Sequence, residues 1–144
     1  MSQLNLRRVT QAVTSGVLAG IGAVHVAWGL GSTFPFERQS ELSDAVIGSD
    51  RVPSSAACHA VAGALFLASG LVADIPVLPR RLRQVGRGGV AGVLGARGLV
   101  GLLGLTDLVS PGGTSQRFRA LDRKLYSPLC LGLAAGAVTS VRQK

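Results

Sequence analysis

Charged residues divide this chain into four long stretches that contain almost none. Val9 to Phe36, Val52 to Ala73 and Leu125 to Val141 carry no Asp, Glu, Lys or Arg, and Gly88 to Val109 is interrupted only by Arg97 and Asp107. A helix rises 1.5 Å per residue, so about 20 such residues cross the roughly 30 Å hydrocarbon core of a bilayer. A soluble domain would need a polar coat, usually about 25% charged residues. This chain has 15% over 144 residues, with 47% hydrophobic and only 4% aromatic. The pattern predicts one all-α domain: a polytopic membrane protein with a four-transmembrane-helix bundle. Its spans are expected at about residues 10–31, 54–75, 88–109 and 125–141.

The punctuation between these runs sets the boundaries. Arg7 and Arg8 precede the first run as they would in a signal peptide, but the apolar core exceeds an h-region, so a retained helix is expected, ending at Gly29 and Gly31. In the connection 32–53, Leu42, Ala45 and Val46 recur at helical spacing before Gly48, which predicts a short surface helix stopped by glycine. Pro53, Ser54 and Ser55 make a good start for the second span, and Asp74 and Pro76 end it. Residues 79–87 read as a basic loop, and Ser110-Pro111-Gly112-Gly113 breaks the third span. Pro128 has no N–H to donate and disfavours helix at Ser127. Span four should therefore begin near Tyr126 or Ser127, with Asp122 as a cap at its N-terminus. If helix extends back to Asp122, a kink is expected.

Four spans put both termini on one side. Arg7, Arg8, Arg80, Arg81, Arg83, Arg87, Arg142 and Lys144 would share that side, against Arg38, Arg51, Arg117, Arg119, Arg123 and Lys124 opposite. The positive-inside rule makes the first side cytoplasmic, which implies a multi-pass protein of the cell inner (plasma) membrane with both termini inside. The net charge of +8 sits at segment ends rather than on a face, which argues against nucleic acid as a partner. The expected surroundings are the lipid bilayer, with a larger membrane complex or a lipid or small-molecule ligand as possible partners. The acids Glu37, Glu41, Asp44 and Asp50 complement Arg117, Arg119, Arg123 and Lys124, so the two outer loops should meet. Within lipid, helices associate through close approach at small residues. Gly16 with Gly20 and Gly132 with Gly136 offer such faces, while glycines at every third position from Gly89 to Gly104 wind around the third helix and suit it to a central place.

Depth counted from the segment ends brings the polar residues into one layer of the outer half. His25, Trp28, His59, Asp107, Asp122, Tyr126 and Cys130 form a candidate outer polar pocket, and Cys58 lies at the depth of Cys130, close enough to suggest a bond. Intramembrane ionisable groups invite a functional hypothesis; interfacial anchoring by Trp28 and Tyr126 and interhelical bonding by the others are the plainer alternative. Arg97, counted from Gly88, lies toward the cytoplasmic end, where Asp74 is the expected partner in a structural ion pair. No metal-ligand spacing, P-loop or dinucleotide fingerprint is present.

His25-Val26-Ala27-Trp28-Gly29-Leu30-Gly31, Arg97-Gly98, and Tyr126-Ser127-Pro128-Leu129-Cys130-Leu131 after Asp122 together resemble the bacterial DUF3995 membrane-protein family over nearly the whole chain. It departs from the family pattern at Ala27, where an aromatic is usual, and at Leu99, where an acid commonly follows the Arg-Gly. The resemblance implies a four-helix integral membrane protein and no particular chemistry. Three functions compete. One is a non-catalytic accessory subunit or a binder of a lipid or small molecule. The second is a redox protein with haem held by His25 and His59. The third is an enzyme using Asp122, Tyr126 and Cys130, whose i, i+4, i+8 spacing would align them on one helix face.

Overall fold

A computed structural model describes residues 3–49, 51–109 and 114–141. Asp50, the break at 110–113, Arg142 and Lys144 lie outside the described residues. Among the described residues every regular element is a helix, with no strand. Four long helices run alternately up and down: α1 (Gln3–Gly29), α3 (Ser55–Val72), α4 (Arg80–Leu102) and α7 (Ser127–Val141). Three short helices, α2 (Gln39–Val46), α5 (Thr106–Val109) and α6 (Gln116–Leu121), gather at one end, here called the capped end. α1 packs most extensively on α3 and α4 on α7; these two antiparallel pairs join mainly where α1 meets α7. Leu18, Val72, Leu133 and Ala137 form the small buried core.

The glycine stops act as the sequence suggests. Gly31 (φ 95°) and Gly48 (φ 76°) adopt the left-handed conformation that closes a helix C-terminus. The Ser32 amide reaches back to the Ala27 carbonyl, and the Gly48 amide to Ser43, satisfying carbonyls that the helix leaves open. Ser54 caps α3 by accepting the Ala57 amide at 3.1 Å. At the other end of α3 the left-handed residue is Asp74 (φ 63°), an aspartate, which tolerates that geometry better than most side chains.

The third helix differs from expectation. It spans Arg80–Leu102 rather than 88–109. The supposed basic loop is its first two turns, because Arg83 and Arg87 turn back onto Asp74 and stay in the helix. Gly104 (φ 70°) then stops it early, with the Leu105 amide bonded to the Val100 carbonyl. Its glycines do not wind through a central position either. A Cβ on Gly98 would lie 2.7 Å from Leu131, and one on Gly101 2.7 Å from Asp122, whereas Gly88, Gly89 and Gly92 face open space. Likewise in α1, Gly16 and Gly20 touch nothing, while Gly22 receives Phe66 and Gly29 receives His59. Gly136 of α7 is a true contact, filled by Thr14; Gly132 is not. The serines of α1 and α3 add a reciprocal clasp: Ser15 and Ser69 hydroxyls lie 2.9 Å apart and each also donates to the other's carbonyl.

The fourth helix begins well before Pro128. A continuous helical path runs from Gln116, capped by Ser115, through a single π-turn at Asp122–Tyr126 and into α7. Asp122 is thus inside a helix and not at its N-terminus, which corrects the capping role. The Ser127 amide bonds the carbonyl five residues back, at Asp122. The wider turn just before Pro128 takes up the irregularity a proline forces on a helix.

The two capped-end segments do meet. Asp44 faces Arg117 at 3.9 Å, the Ser115 amide bonds the Gly48 carbonyl at 2.9 Å, and the Phe118 ring sits against Gly48. Arg119 pairs instead with Asp107 at 3.3 Å.

Candidate functional site

The buried polar centre is Asp122, only 1% exposed. The Arg97 guanidinium donates to both its oxygens, at 2.8 Å and 3.4 Å. The Thr106 hydroxyl adds a bond at 2.7 Å and the Ser127 hydroxyl one at 3.2 Å. Arg97 therefore has a partner other than Asp74. Counting from Gly88 put it near the wrong end; in a helix that stops at Leu102 it lies close to the capped end. Gly98 and Gly101 let α7 approach closely enough for the pair to form. Asp74, at the opposite end, serves Arg83 at 3.0 Å and also Arg87, whose Nε donates to the Leu71 carbonyl at 2.6 Å.

The same π-turn undoes the expected strip. An i, i+4, i+8 row requires 3.6 residues per turn, and the extra residue shifts the row's phase. Asp122 turns toward α4 and α5, aligned with Ser127 five residues on. Tyr126 and Cys130 turn elsewhere, into a cavity of about 460 Å³. Its walls come from Leu18, Ile21, Val24, His25 and Trp28 of α1, Val61 and Leu65 of α3, and Leu94 and Arg97 of α4. Tyr126, Leu129, Cys130 and Leu133 close it on the fourth helix, and Val46 of α2 lies at its capped end. Most of this lining is aliphatic, with polar atoms concentrated toward the capped end.

Three of the polar wall residues are held by bonds to backbone carbonyls. His25 bonds the Ile21 carbonyl through Nδ1 at 2.9 Å. A carbonyl can only accept, so Nδ1 carries the proton and a neutral ring keeps a lone pair on Nε2. The ring packs on Trp28 at a centroid distance of 4.9 Å. Trp28 donates to the Phe34 carbonyl at 2.7 Å, and the Tyr126 hydroxyl to the Ala45 carbonyl at 3.0 Å.

The expected pocket is therefore only partly assembled. His25, Trp28, Tyr126 and Cys130 line one cavity; His59, Asp107 and Asp122 do not. His59 is exposed on α3 and rests on Gly29, outside the cavity that His25 lines. Asp107 lies beyond α4, gripped by the Thr114 hydroxyl and amide and by Arg119. The Thr114 hydroxyl is the main reason its carboxyl titrates below the ordinary aspartate range; Arg119 and the Thr114 amide add to this, against opposing desolvation. Cys58 and Cys130 are both free thiols, on helices α3 and α7 that share no substantial contact. Among the described residues no cluster of three or more His, Cys, Asp or Glu could hold a metal.

Sequence reasoning missed Thr106 and Ser127 as partners of Asp122, and the aliphatic walls contributed by Leu65, Leu94 and Leu133. Ser127 stood within the Tyr-Ser-Pro-Leu-Cys motif, but only an i+5 alignment gives it that role. No curated protein and no solved structure matches the chain. A family model for proteins of unknown function, DUF3995, matches residues 18–137. With the matched region covering the bundle from Leu18 to Ala137, this chain belongs to the DUF3995 family.

Proposed function

We propose that this chain is a four-span membrane protein that binds one apolar molecule in the cavity between its helices, as a carrier or accessory component rather than a catalyst. The observation that carries the reading is the cavity itself. Its volume falls within the range of about 300–1,000 Å³ typical of ligand sites, and its lining is mostly aliphatic with a few placed polar groups. The ionised residues nearby are committed to one another: Asp122 accepts from Arg97, Thr106 and Ser127, which suits a structural brace better than a general base.

Two helices, α1 and α3, are long and apolar enough to cross a bilayer. Support for the remaining two spans comes from what the bundle leaves outward: Val85, Val93, Leu99 and Leu103 of the α4 region are more than half exposed, and Leu129 and Val138 of α7 are also exposed. A surface of that kind suits lipid tails rather than water. The end carrying Arg7, Arg8, Arg80 and Arg81 is assigned to the cytoplasm by the positive-inside rule.

The test is native mass spectrometry of the chain purified from membranes in mild detergent. A retained apolar adduct at one per chain is expected, and Leu133→Trp, which fills the cavity, should remove it. A chain that carries no adduct, or an adduct unmoved by Leu133→Trp, would overturn the proposal.

A further inference from the structure

A second cavity, of about 580 Å³, lies at the capped end between the segment leading into α2 and the helical path from α6 to Tyr126. Three of its wall residues, Trp28, Val46 and Tyr126, also line the bundle cavity. A single layer of side chains from three different elements therefore separates the two chambers. Trp28 and Tyr126 are each steadied by one hydrogen bond to a backbone carbonyl, that of Phe34 in the connection before α2 or that of Ala45 within α2, and Val46 by none that a valine side chain could make.

The chambers differ in charge. The inner one is aliphatic, and its one cation, Arg97, is already matched by Asp122. The outer one is lined by Arg117 and Lys124 together with Phe36. Arg117 is only loosely engaged, 3.9 Å from Asp44 and 5.5 Å above the Phe36 ring, and Lys124 makes no ion pair among the described residues. An anion there would gain charge-assisted hydrogen bonds that the inner chamber does not offer.

Resting on the cavity reading above, we infer that the two chambers form one site for a single-chain anionic amphiphile. Its carboxylate or phosphate head sits at Arg117 and Lys124, and its tail passes between Trp28 and Tyr126 into the bundle. The order of chemistry along the path, from cationic through aromatic to aliphatic, matches that of such a molecule from head to tail.

The test is saturation binding to the purified full chain in a neutral detergent, with three probes that share a sixteen-carbon tail: palmitate, hexadecyl phosphate and hexadecanol. At least one anionic probe should bind about tenfold more tightly than hexadecanol, the scale of one charge-assisted contact; the tighter of the two identifies the head. Arg117→Gln with Lys124→Gln should erase that advantage and leave hexadecanol unchanged. Both side chains are exposed, so the fold should survive, and near-unchanged hexadecanol binding would report that it has. Equal affinity for all three probes, or an anionic advantage that persists in the double variant, overturns the inference while the cavity reading stands. Failure of every probe to bind overturns both.

Discussion

Removing the carboxylate of Asp122 should reveal whether Arg97 and Asp122 act as one unit. Asp122→Ala leaves a guanidinium facing a pocket that no longer holds its counter-charge, and it strips the Thr106 and Ser127 hydroxyls of their acceptor. Breaking a buried pair from one side costs about 3–5 kcal/mol. The Arg97 side chain is 36% exposed, so water can partly re-solvate it and the lower end, about 3 kcal/mol, applies here. Arg97→Met should cost somewhat less, about 2 kcal/mol, because the orphaned carboxylate can take up a proton and keeps its two hydroxyl donors. The double variant has no uncompensated charge, so its cost should fall short of the sum by about 1.5–3 kcal/mol. At roughly 2–4 °C per kcal/mol for a chain of this size, each single variant would shift the midpoint measurably. Cys58, buried in the folded bundle, supplies the signal through a thiol-reactive dye in a thermal ramp. If the two single costs simply add, within about 0.5 kcal/mol, the pair does not brace α4 to the fourth helix and the reasoning fails.

Glycine substitutions in α4 should split by position: Gly101→Ala would drive a methyl into Ser127 and Asp122 and cost about 1–3 kcal/mol, whereas Gly92→Ala, in open space, should be neutral or stabilise by up to about 1 kcal/mol; equal effects in a stability titration would contradict the packing. Asp107 has a folded value below its unfolded one, so its contribution is full above the ordinary aspartate value and lost as pH falls through the depressed value. A carboxyl-carbon NMR titration should show that low midpoint, and Thr114→Val should move it upward; an unmoved midpoint would remove Thr114 as the cause. Mild oxidation should leave Cys58 and Cys130 as two free thiols within one chain by intact mass, and an intramolecular bond would mean that α3 and α7 approach each other as they do not here.

The parts of the fold that were legible from sequence are those written locally. Uncharged runs mark the helices, and the stops at Gly31 and Gly48 follow from residue type alone, since each requires a left-handed backbone. The joining of the capped-end segments followed from opposite charge, although one pair, Asp44 with Arg117, carries it across α2 and α6. Helix rotation and axial register were not local. Whether Gly16 or Gly22 is the packing face depends on where Phe66 arrives from α3. The partner of Arg97 depends on where α4 stops, and a basic stretch reads as loop until Asp74 is seen to draw Arg83 and Arg87 into the helix. The cavity was half visible: its aromatic and imidazole rim stood out, while its walls are leucines and valines indistinguishable in sequence from those that face outward.

The turn at Asp122–Tyr126 also bears on how this helix tolerates changes in length. A π-turn holds one residue more than an α-turn between the same two flanks. Losing any one of Arg123, Lys124 or Leu125 would close it to an ordinary turn, with the Ser127 amide then four positions from Asp122 instead of five. The segments on either side would keep their facing, Asp122 toward Arg97 and Cys130 toward the cavity. The same deletion in the packed middle of one of the long helices would swing everything beyond it by about 100° and scramble the interior. Chain length can therefore vary by one at this point while the packing on either side keeps its facing.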